Sequence, residues 1–496
     1  MILSTLIQGL PDVQSIGSID PEIFGISTDS RSIRAGYLFA ALSGNVTDGH
    51  QYISHAIDSG AAALLVDATH TLPPDVPIPV IRAQDSRRVL STISARHYGF
   101  PSREMKMIGV TGTNGKTTTT YLIEGILRHN GIGGGVIGTV GARFAGREEM
   151  TDATTPEAPQ LHKILSEMRH AGVQVVAMEV SSHSLTLQRV TDIEFDVGIF
   201  TNLTQDHLDF HGTLDRYLAA KGRLFQSLIP QNPASPKVAV INRDDPVFDS
   251  VRRFVPDGCH AISYGFHPDA DLRVRIIEMT ATDSCFEVIG RFGVHEISLP
   301  TPGRHNILNF SAAFCACCAI GIEPSDVAAA AIHLTPAPGR MERIDVGQPF
   351  LVVVDYAHSP DALDNILSSL RPLVHGRLIC VFGCGGDRDR TKRPRMAEAV
   401  VRHCDHAIVT SDNPRTEHPE SIIAEILPGI PSGFPSTVMV DRHEAIFEAI
   451  RMAERDDAIV IAGKGHEDYQ IIGRMKHHFD DREEARNALL RKGFGG

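Results

Sequence analysis

The sequence predicts an α/β protein of three domains: a small N-terminal α/β domain, a central P-loop domain on a parallel sheet, and a C-terminal Rossmann-like domain. Three observations carry that expectation. From residue 106 onward, short apolar runs alternate with helix-length segments. A glycine-rich loop, "GVTGTNGKTTTT", joins the first of those runs to a helix. The same rhythm restarts near Pro338, after the Pro/Gly stretch "TPAPG" at 335–339. The expected boundaries are 1–98, 99–336 and 337–496.

The elements follow in order. In the first block, "DGHQYISHAIDSGAAALLV" reads as a helix followed by a strand, and "HYGFPSREM" (97–105) has the composition of a linker. "KMIGVT" (106–111) is a buried strand. "KTTTTYLIEGILRHNG" is a helix with Leu122, Ile123, Ile126 and Leu127 on one face and Gly131 in the capping position. Further strands are expected at "VQVVAMEV", "FDVGIFTN" and "KVAVIN", then in the third block at "FLVVVDY", "RLICVFG", "HAIVTS" and "AIVIAG". Alternation of this kind implies parallel sheets with right-handed crossovers, and ligands at the carboxyl ends of the strands.

Composition excludes several classes. With 47 basic and 60 acidic residues the net charge is −13, which argues against nucleic-acid binding by phosphate neutralisation. No apolar run reaches the roughly 18 residues of a membrane span, and "MILSTLIQGLPD" lacks the charged and small-residue marks of a signal peptide, so membrane insertion is not expected and the cytoplasm is the expected compartment. Cys315, Cys317 and Cys318 in "CACC" read as tight helix packing, not a disulfide framework.

The loop has the spacing GxxGK[ST], shorter than the common GxxxxGK[ST]. It keeps the mechanism: backbone N–H groups from Gly112 to Thr118 approach phosphate, Lys116 reaches its terminal oxygens, and Thr117 can ligate Mg²⁺. Glu179 ends one later strand, and His207 in "TNLTQDHLDFHGT" follows another, at the edge where ligands of a nucleotide's metal belong. Lys221 lies on a helix in "YLAAKGRLF".

These segments, with "INRDD", "PGRHNILNFSAA", "PGRMERI", "VDYAHSPDAL", "GCGGDRDRTKRP", "SDNPRTEHP" and "GKGHEDYQ", stand in the order found in the Mur ligases, and the chain resembles that family over essentially its whole length. The resemblance implies an ATP-dependent amide ligase of peptidoglycan precursor synthesis, working through an acyl phosphate. The successive domains would bind a UDP-linked substrate, ATP and an amino acid. ATP is a substrate and Mg²⁺ the cofactor; the partners are small molecules, and a monomer is expected. By resemblance Thr117, Glu179, His207 and Lys221 serve the metal ions, Lys221 as a carbamate. The loop residues Gly112, Thr113, Asn114, Gly115, Lys116, Thr117 and Thr118 take the nucleotide phosphates. Asn306, Asn309, Arg340, Asp355 and His358 complete the ATP side. Lys116, Lys221, His207 and Arg340 are the expected catalytic groups. Ser30, Thr154, Thr155, Ser181 and Arg189 resemble contacts to the UDP-muramyl dipeptide. Because Arg340 opens the third block yet would reach phosphate on the second, closure about 335–339 is expected.

"DNPR" resembles the members that add meso-diaminopimelate. That amino acid has a second amino-carboxylate end, and a guanidinium can grip a carboxylate through two parallel bonds. Arg415 would take the carboxylate and Asp412 and Glu467 the ammonium, with Arg388, Asn413 and the Gly463 backbone completing the pocket. A non-catalytic regulator built on this fold would have lost its phosphate or metal groups; Lys116, Glu179, His207 and Lys221 all stand.

Overall fold

The computed structural model describes residues 1–17, 19–44, 47–72, 76–230 and 236–495. Three sheets organise it. The first has five strands in the spatial order Val13–Ile16, Val80–Ala83, Ala61–Asp67, Tyr37–Ala40, Gly25–Ser27, and only Val13–Ile16 runs antiparallel to its neighbour. The second has eleven strands and the third six, and a two-stranded hairpin, Tyr469–Ile472 with Met475–His478, stands apart.

The strand Lys106–Thr111 lies in the middle sheet between Val175–Glu179 and Val197–Phe200, parallel to both. Its Val110 pairs with Glu179 and its Thr111 with Phe200, so the carboxyl ends of three strands finish together. The helix Lys116–His129 covers them, burying Leu122, Ile123, Ile126 and Leu127. It ends as expected. Gly131 has φ +70°, its N–H donates to Arg128 O at 3.1 Å, and Ile132 N–H donates to Leu127 O at 2.9 Å, a pairing that satisfies two orphan carbonyls.

Two expectations need correction. The middle sheet is parallel only at its centre: 134–149 and 272–299 fold as antiparallel wings at its two edges. The wings need no crossover helix, because short turns such as Arg291–Phe292 join antiparallel neighbours directly. Nor is 97–105 a loose linker. Pro101 and Ser102 are buried in a short 3₁₀ turn, and Arg169 donates to Gly99 O (3.3 Å) and pairs with Glu104 (2.9 Å).

In the third sheet Leu351–Asp355, Ala458–Ala462, Leu378–Phe382, His406–Val409 and Ser436–Val438 run parallel, with Glu342–Arg343 added antiparallel at one edge. Cys315 and Cys317 are fully buried in the helix Arg304–Ala319, and all eight cysteines are free thiols.

Candidate functional site

The phosphate loop is held from outside by the segment after Val197–Phe200. Thr201 Oγ1 donates to Asn114 O (2.6 Å), Asn114 N–H donates to Asn202 Oδ1 (2.9 Å), and Thr113 N–H to Asn202 O (2.9 Å). Gly112 has φ +151°, and a Cβ there would fall 1.8 Å from Thr201 Oγ1, so no other residue fits. Gly115 starts the helix at φ +86° with no side chain capping the first turn, leaving amide donors open to an anion. Asn309 Oδ1 backs Gly115, while Asn306 lines a small cavity with Thr118 and Arg340.

Lys116 Nζ donates to Gly112 O (2.9 Å) and Thr113 O (2.8 Å). Lys221 Nζ, on the helix Leu214–Gln226, donates to the same Gly112 O at 2.7 Å and sits 4.2 Å from the centre of the Tyr217 ring. Lys221 is 1 % exposed, and no carboxylate lies within ion-pair distance of it among the described residues. Burial, reinforced by the charge of Lys116, holds its amine well below the ordinary lysine range. The helix pattern explains the burial: Tyr217, Lys221, Leu224 and Phe225 share one face, and Thr213 caps the start by accepting from Arg216 N–H at 3.2 Å.

Glu179 is buried at the strand end. Its Oε1 accepts from Thr117 Oγ1 and Thr139 N–H, both at 2.9 Å, and its Oε2 from Thr139 Oγ1 at 3.1 Å. Thr117 and Glu179 thus offer hydroxyl and carboxylate oxygens side by side at the loop, the donor set that Mg²⁺ uses together with phosphate oxygens and water. His207 stands on a left-handed turn (φ +53°), 3.5 Å from Asp206 and 6.2 Å from the Tyr217 ring that Lys221 also faces. The Lys221 nitrogen donates to Gly112 O and offers no oxygen, so Lys221 as it stands is a poor ligand for a hard cation such as Mg²⁺.

Arg340 crosses from the third block. Its Nη2 lies 3.5 Å from Thr117 Oγ1, its guanidinium stacks 4.6 Å from the Tyr356 ring, and its buried Nε has no partner. A buried donor without a partner, on a guanidinium that reaches the loop at Thr117, fits an anion bound there. Asp355 holds the turn in place by accepting from Met341 N–H and Ala357 N–H, both at 2.8 Å. His358 packs edge-on against Tyr356, ring centres 4.6 Å apart. Gly339 lies so close to the Gly465–His466 peptide that a Cβ would fall 2.0 Å from it. The segment from Gly339 on is therefore fixed to the third block, and the expected hinge shortens to residues 335–338.

Thr154, Thr155, Ser181 and Arg189 continue the polar surface from Glu179. Thr154 Oγ1 lies 3.1 Å from Thr139 Oγ1, Thr155 Oγ1 donates to Glu179 O (2.9 Å) and accepts from Ser181 N–H (3.1 Å), and Arg189 donates to Thr155 O (2.9 Å). Arg189 also pairs with Glu157 at 2.7 Å. Glu157 and Ser30 line a cleft of about 660 Å³ between the first and second blocks. Gln188 bridges the same two blocks, donating to Asp85 Oδ2 at 2.7 Å.

The "DNPR" loop follows the strand His406–Val409. Arg415 has φ +52°, and its Nη1 donates to Gly386 O at 2.9 Å; it and Arg388 flank Gly385. Asn413 Nδ2 donates to Glu467 Oε2 at 2.8 Å, and a Cβ on Gly463 would stand 3.0 Å from Asp412 Oδ2. Arg415 and Arg388 thus stand at Gly385, and the carboxylates of Asp412 and Glu467 at Gly463 and Asn413. Burial and the neighbouring Asp412 push the Glu467 carboxyl upward. Sequence reasoning passed over Lys464, which is fully buried among these carboxylates. Its neighbours Gly463 and Glu467 were both singled out, but a lysine after a strand reads as a solvated residue.

Family models match three stretches: Mur ligase family, catalytic domain at 22–98; Mur ligase middle domain at 110–317; and Mur ligase, glutamate ligase domain at 339–465. The UDP-N-acetylmuramoyl-L-alanyl-D-glutamate–2,6-diaminopimelate ligase of Geobacillus thermodenitrificans (strain NG80-2) is 42% identical over 491 residues, covering 99% of each chain. The chain belongs to the Mur ligase family. A solved structure of a UDP-N-acetylmuramoyl-L-alanyl-D-glutamate–2,6-diaminopimelate ligase matches this Mur ligase with TM-score 0.67 and 34% identity over 95% of each chain. A MurF ligase from Thermotoga maritima in complex with ADP shares the fold at TM-score 0.64 and 18% identity, over 95% of this chain and 98% of that one. No helix among the described residues is long and apolar enough to cross a membrane.

Proposed function

We infer that this Mur ligase is an ATP-dependent ligase that joins 2,6-diaminopimelate to UDP-N-acetylmuramoyl-L-alanyl-D-glutamate in peptidoglycan precursor synthesis. It would act as a cytoplasmic monomer on the meso form of the amino acid. The observation that carries the amino-acid choice is that one loop cluster holds two arginines, Arg415 and Arg388, together with two carboxylates, Asp412 and Glu467. An amino-carboxylate end needs both signs of charge, and an aminobutyl end such as lysine's would leave the guanidinium groups unpaired.

An amine cannot expel oxide from a carboxylate, so the substrate's γ-carboxylate must first be activated. Its oxygen attacks the γ-phosphorus of ATP, ADP leaves, and an acyl phosphate forms. The incoming amine then attacks the acyl carbon, phosphate departs with the C–O bonding pair, and the amine sheds a proton as the amide forms. The loop amides and Lys116 hold the nucleotide phosphates, and Arg340 turns its unpartnered Nε toward the charge that moves in the transfer. Thr154, Thr155, Ser181 and Arg189 hold the UDP-linked dipeptide next to that phosphate, and Ser30 lies in the cleft that receives the nucleotide end. Mg²⁺, held by Thr117 and Glu179, would neutralise phosphate charge. Burial favours the neutral form of Lys221, the form in which an amine adds CO₂: the nitrogen lone pair attacks carbon, a proton is lost, and an anionic carbamate would replace a poor ligand with an oxygen one.

ATP-dependent ligation assayed with the UDP-dipeptide, comparing meso-diaminopimelate with L-lysine, tests the reading. The expected result is product with the first and little with the second. Preference for lysine would overturn the amino-acid assignment and leave the ligase chemistry intact.

A further inference from the structure

Lys464 has no exposed surface, although it is the residue type that most favours water. Its ammonium lies 3.2 Å from Asn413 Oδ1, 3.5 Å from Glu467 Oε2 and 3.8 Å from Asp412 Oδ1. Asn413 is locked between the two, accepting from Lys464 and Ile471 N–H while donating to Glu467. Asp412 Oδ1 is buried and accepts no hydrogen bond. The carboxylate pair therefore has a resident cation on one side and an open acceptor.

Other charged and titratable groups nearby are engaged or more distant. Arg442 is bound to Asp481 through two 2.7 Å contacts, Arg415 donates to Gly386 O, and the Tyr469 ring centre lies 5.7 Å from the Lys464 ammonium. Among the described residues only Lys464 comes within ion-pair distance of either carboxylate.

Two carboxylates buried side by side repel, and one of them would take up a proton without a compensating charge. We propose that Lys464 is a positioning residue of the amino-acid pocket: it fixes Asp412 and Glu467 in place and cancels one of their two charges, so that the pocket admits a single ammonium. With Arg388 and Arg415 in the same loop cluster, that balance fits an end carrying one ammonium and one carboxylate. A second positive charge would be rejected. This inference rests on the assignment of the 412–415 loop to the amino-acid substrate.

The test uses full-length enzyme with Lys464→Met, Lys464→Arg and Glu467→Gln, with ATP and UDP-dipeptide binding measured by calorimetry. For Lys464→Met the KM for diaminopimelate should rise about tenfold or more, with kcat within a few-fold and both nucleotide affinities unchanged. The acid limb of kcat/KM for diaminopimelate should move to higher pH by about one unit or more, because a carboxylate that loses a cation at this range ionises later. Lys464→Arg should keep the limb near its original pH. If Glu467→Gln raises the KM while Lys464→Met moves neither KM nor limb, the pocket stands and the role given to Lys464 is wrong. If Glu467→Gln leaves the KM untouched, the pocket assignment fails and this inference with it. Should Lys464→Met not fold, the double variant Lys464→Met/Glu467→Gln removes one charge of each sign and should fold; if it too fails, Lys464 serves packing and the inference is overturned.

Discussion

Two buried lysines, one in each of the larger blocks, sit in opposite surroundings. Lys221 touches a backbone carbonyl and the face of Tyr217, with another cation nearby and no ion-pair partner among the described residues. Lys464 touches an amide oxygen and two carboxylates. The contrast shows that burial alone does not set a lysine's role; its neighbours do. The first site favours a neutral amine, ready for covalent change, and the second needs a lasting positive charge.

Removing the first lysine should have the largest effect. Lys221→Ala should lower ligation by about a hundredfold to a thousandfold, the scale for losing one preorganised charge-stabilising group. Short carboxylates added to the assay should restore part of the rate by supplying the missing oxygen. Full activity without them would remove Lys221 from the chemistry.

Arg415→Ala probes the second site. Loss of a charge-assisted contact of roughly 1.5–3 kcal/mol should lower kcat/KM for diaminopimelate about ten- to several-hundredfold. ATP affinity should hold, because the phosphate loop lies in the other block. The variant should not become a good lysine ligase, since Asp412, Asn413 and Glu467 remain arranged for the amino-carboxylate end. Unchanged diaminopimelate kinetics would reduce Arg415 to a turn residue.

The two sites must also cooperate. Arg340 and the "GKGHE" loop move as one piece, because Gly339 is wedged against Gly465–His466. Small-angle scattering should therefore show a smaller radius of gyration with ATP and UDP-dipeptide bound together than with neither. Identical curves would contradict closure about 335–338. The smallest effect is expected at Thr213, which caps the helix carrying Lys221. Thr213→Ala should cost about 1 kcal/mol, seen as a lower urea midpoint of the central transition, with carbamate chemistry retained.

Much of this was legible in the residues, and the exceptions share a cause. Most strands of the parallel centres show as short apolar runs, because burial on both faces demands one, whereas the parallel strands His260–Gly265 and Ser436–Val438 mix in polar residues and escaped. The antiparallel wings at 134–149 and 272–299 escaped, since half-exposed strands such as "LRVRIIEM" mix charge with apolar residues. The phosphate loop was legible because only glycine fits at Gly112. Lys221 could be placed on a helix, while its burial beside Tyr217 emerged only from the structure. The burial of Lys464 was not legible, because Asp412 and Asn413 come from the earlier "DNPR" loop, brought to it only by the fold, and the nearby Glu467 alone does not distinguish a buried lysine from a solvated one. Thr139, which holds Glu179, was missed for the same reason.

The most direct test of the contrast is ¹³C NMR of the enzyme equilibrated with ¹³C-bicarbonate, comparing wild type, Lys221→Ala and Lys464→Arg. A carbamate carbon signal should appear in the wild type, vanish in Lys221→Ala and persist in Lys464→Arg. Absence of the signal from the wild type, or its survival in Lys221→Ala, would contradict the account.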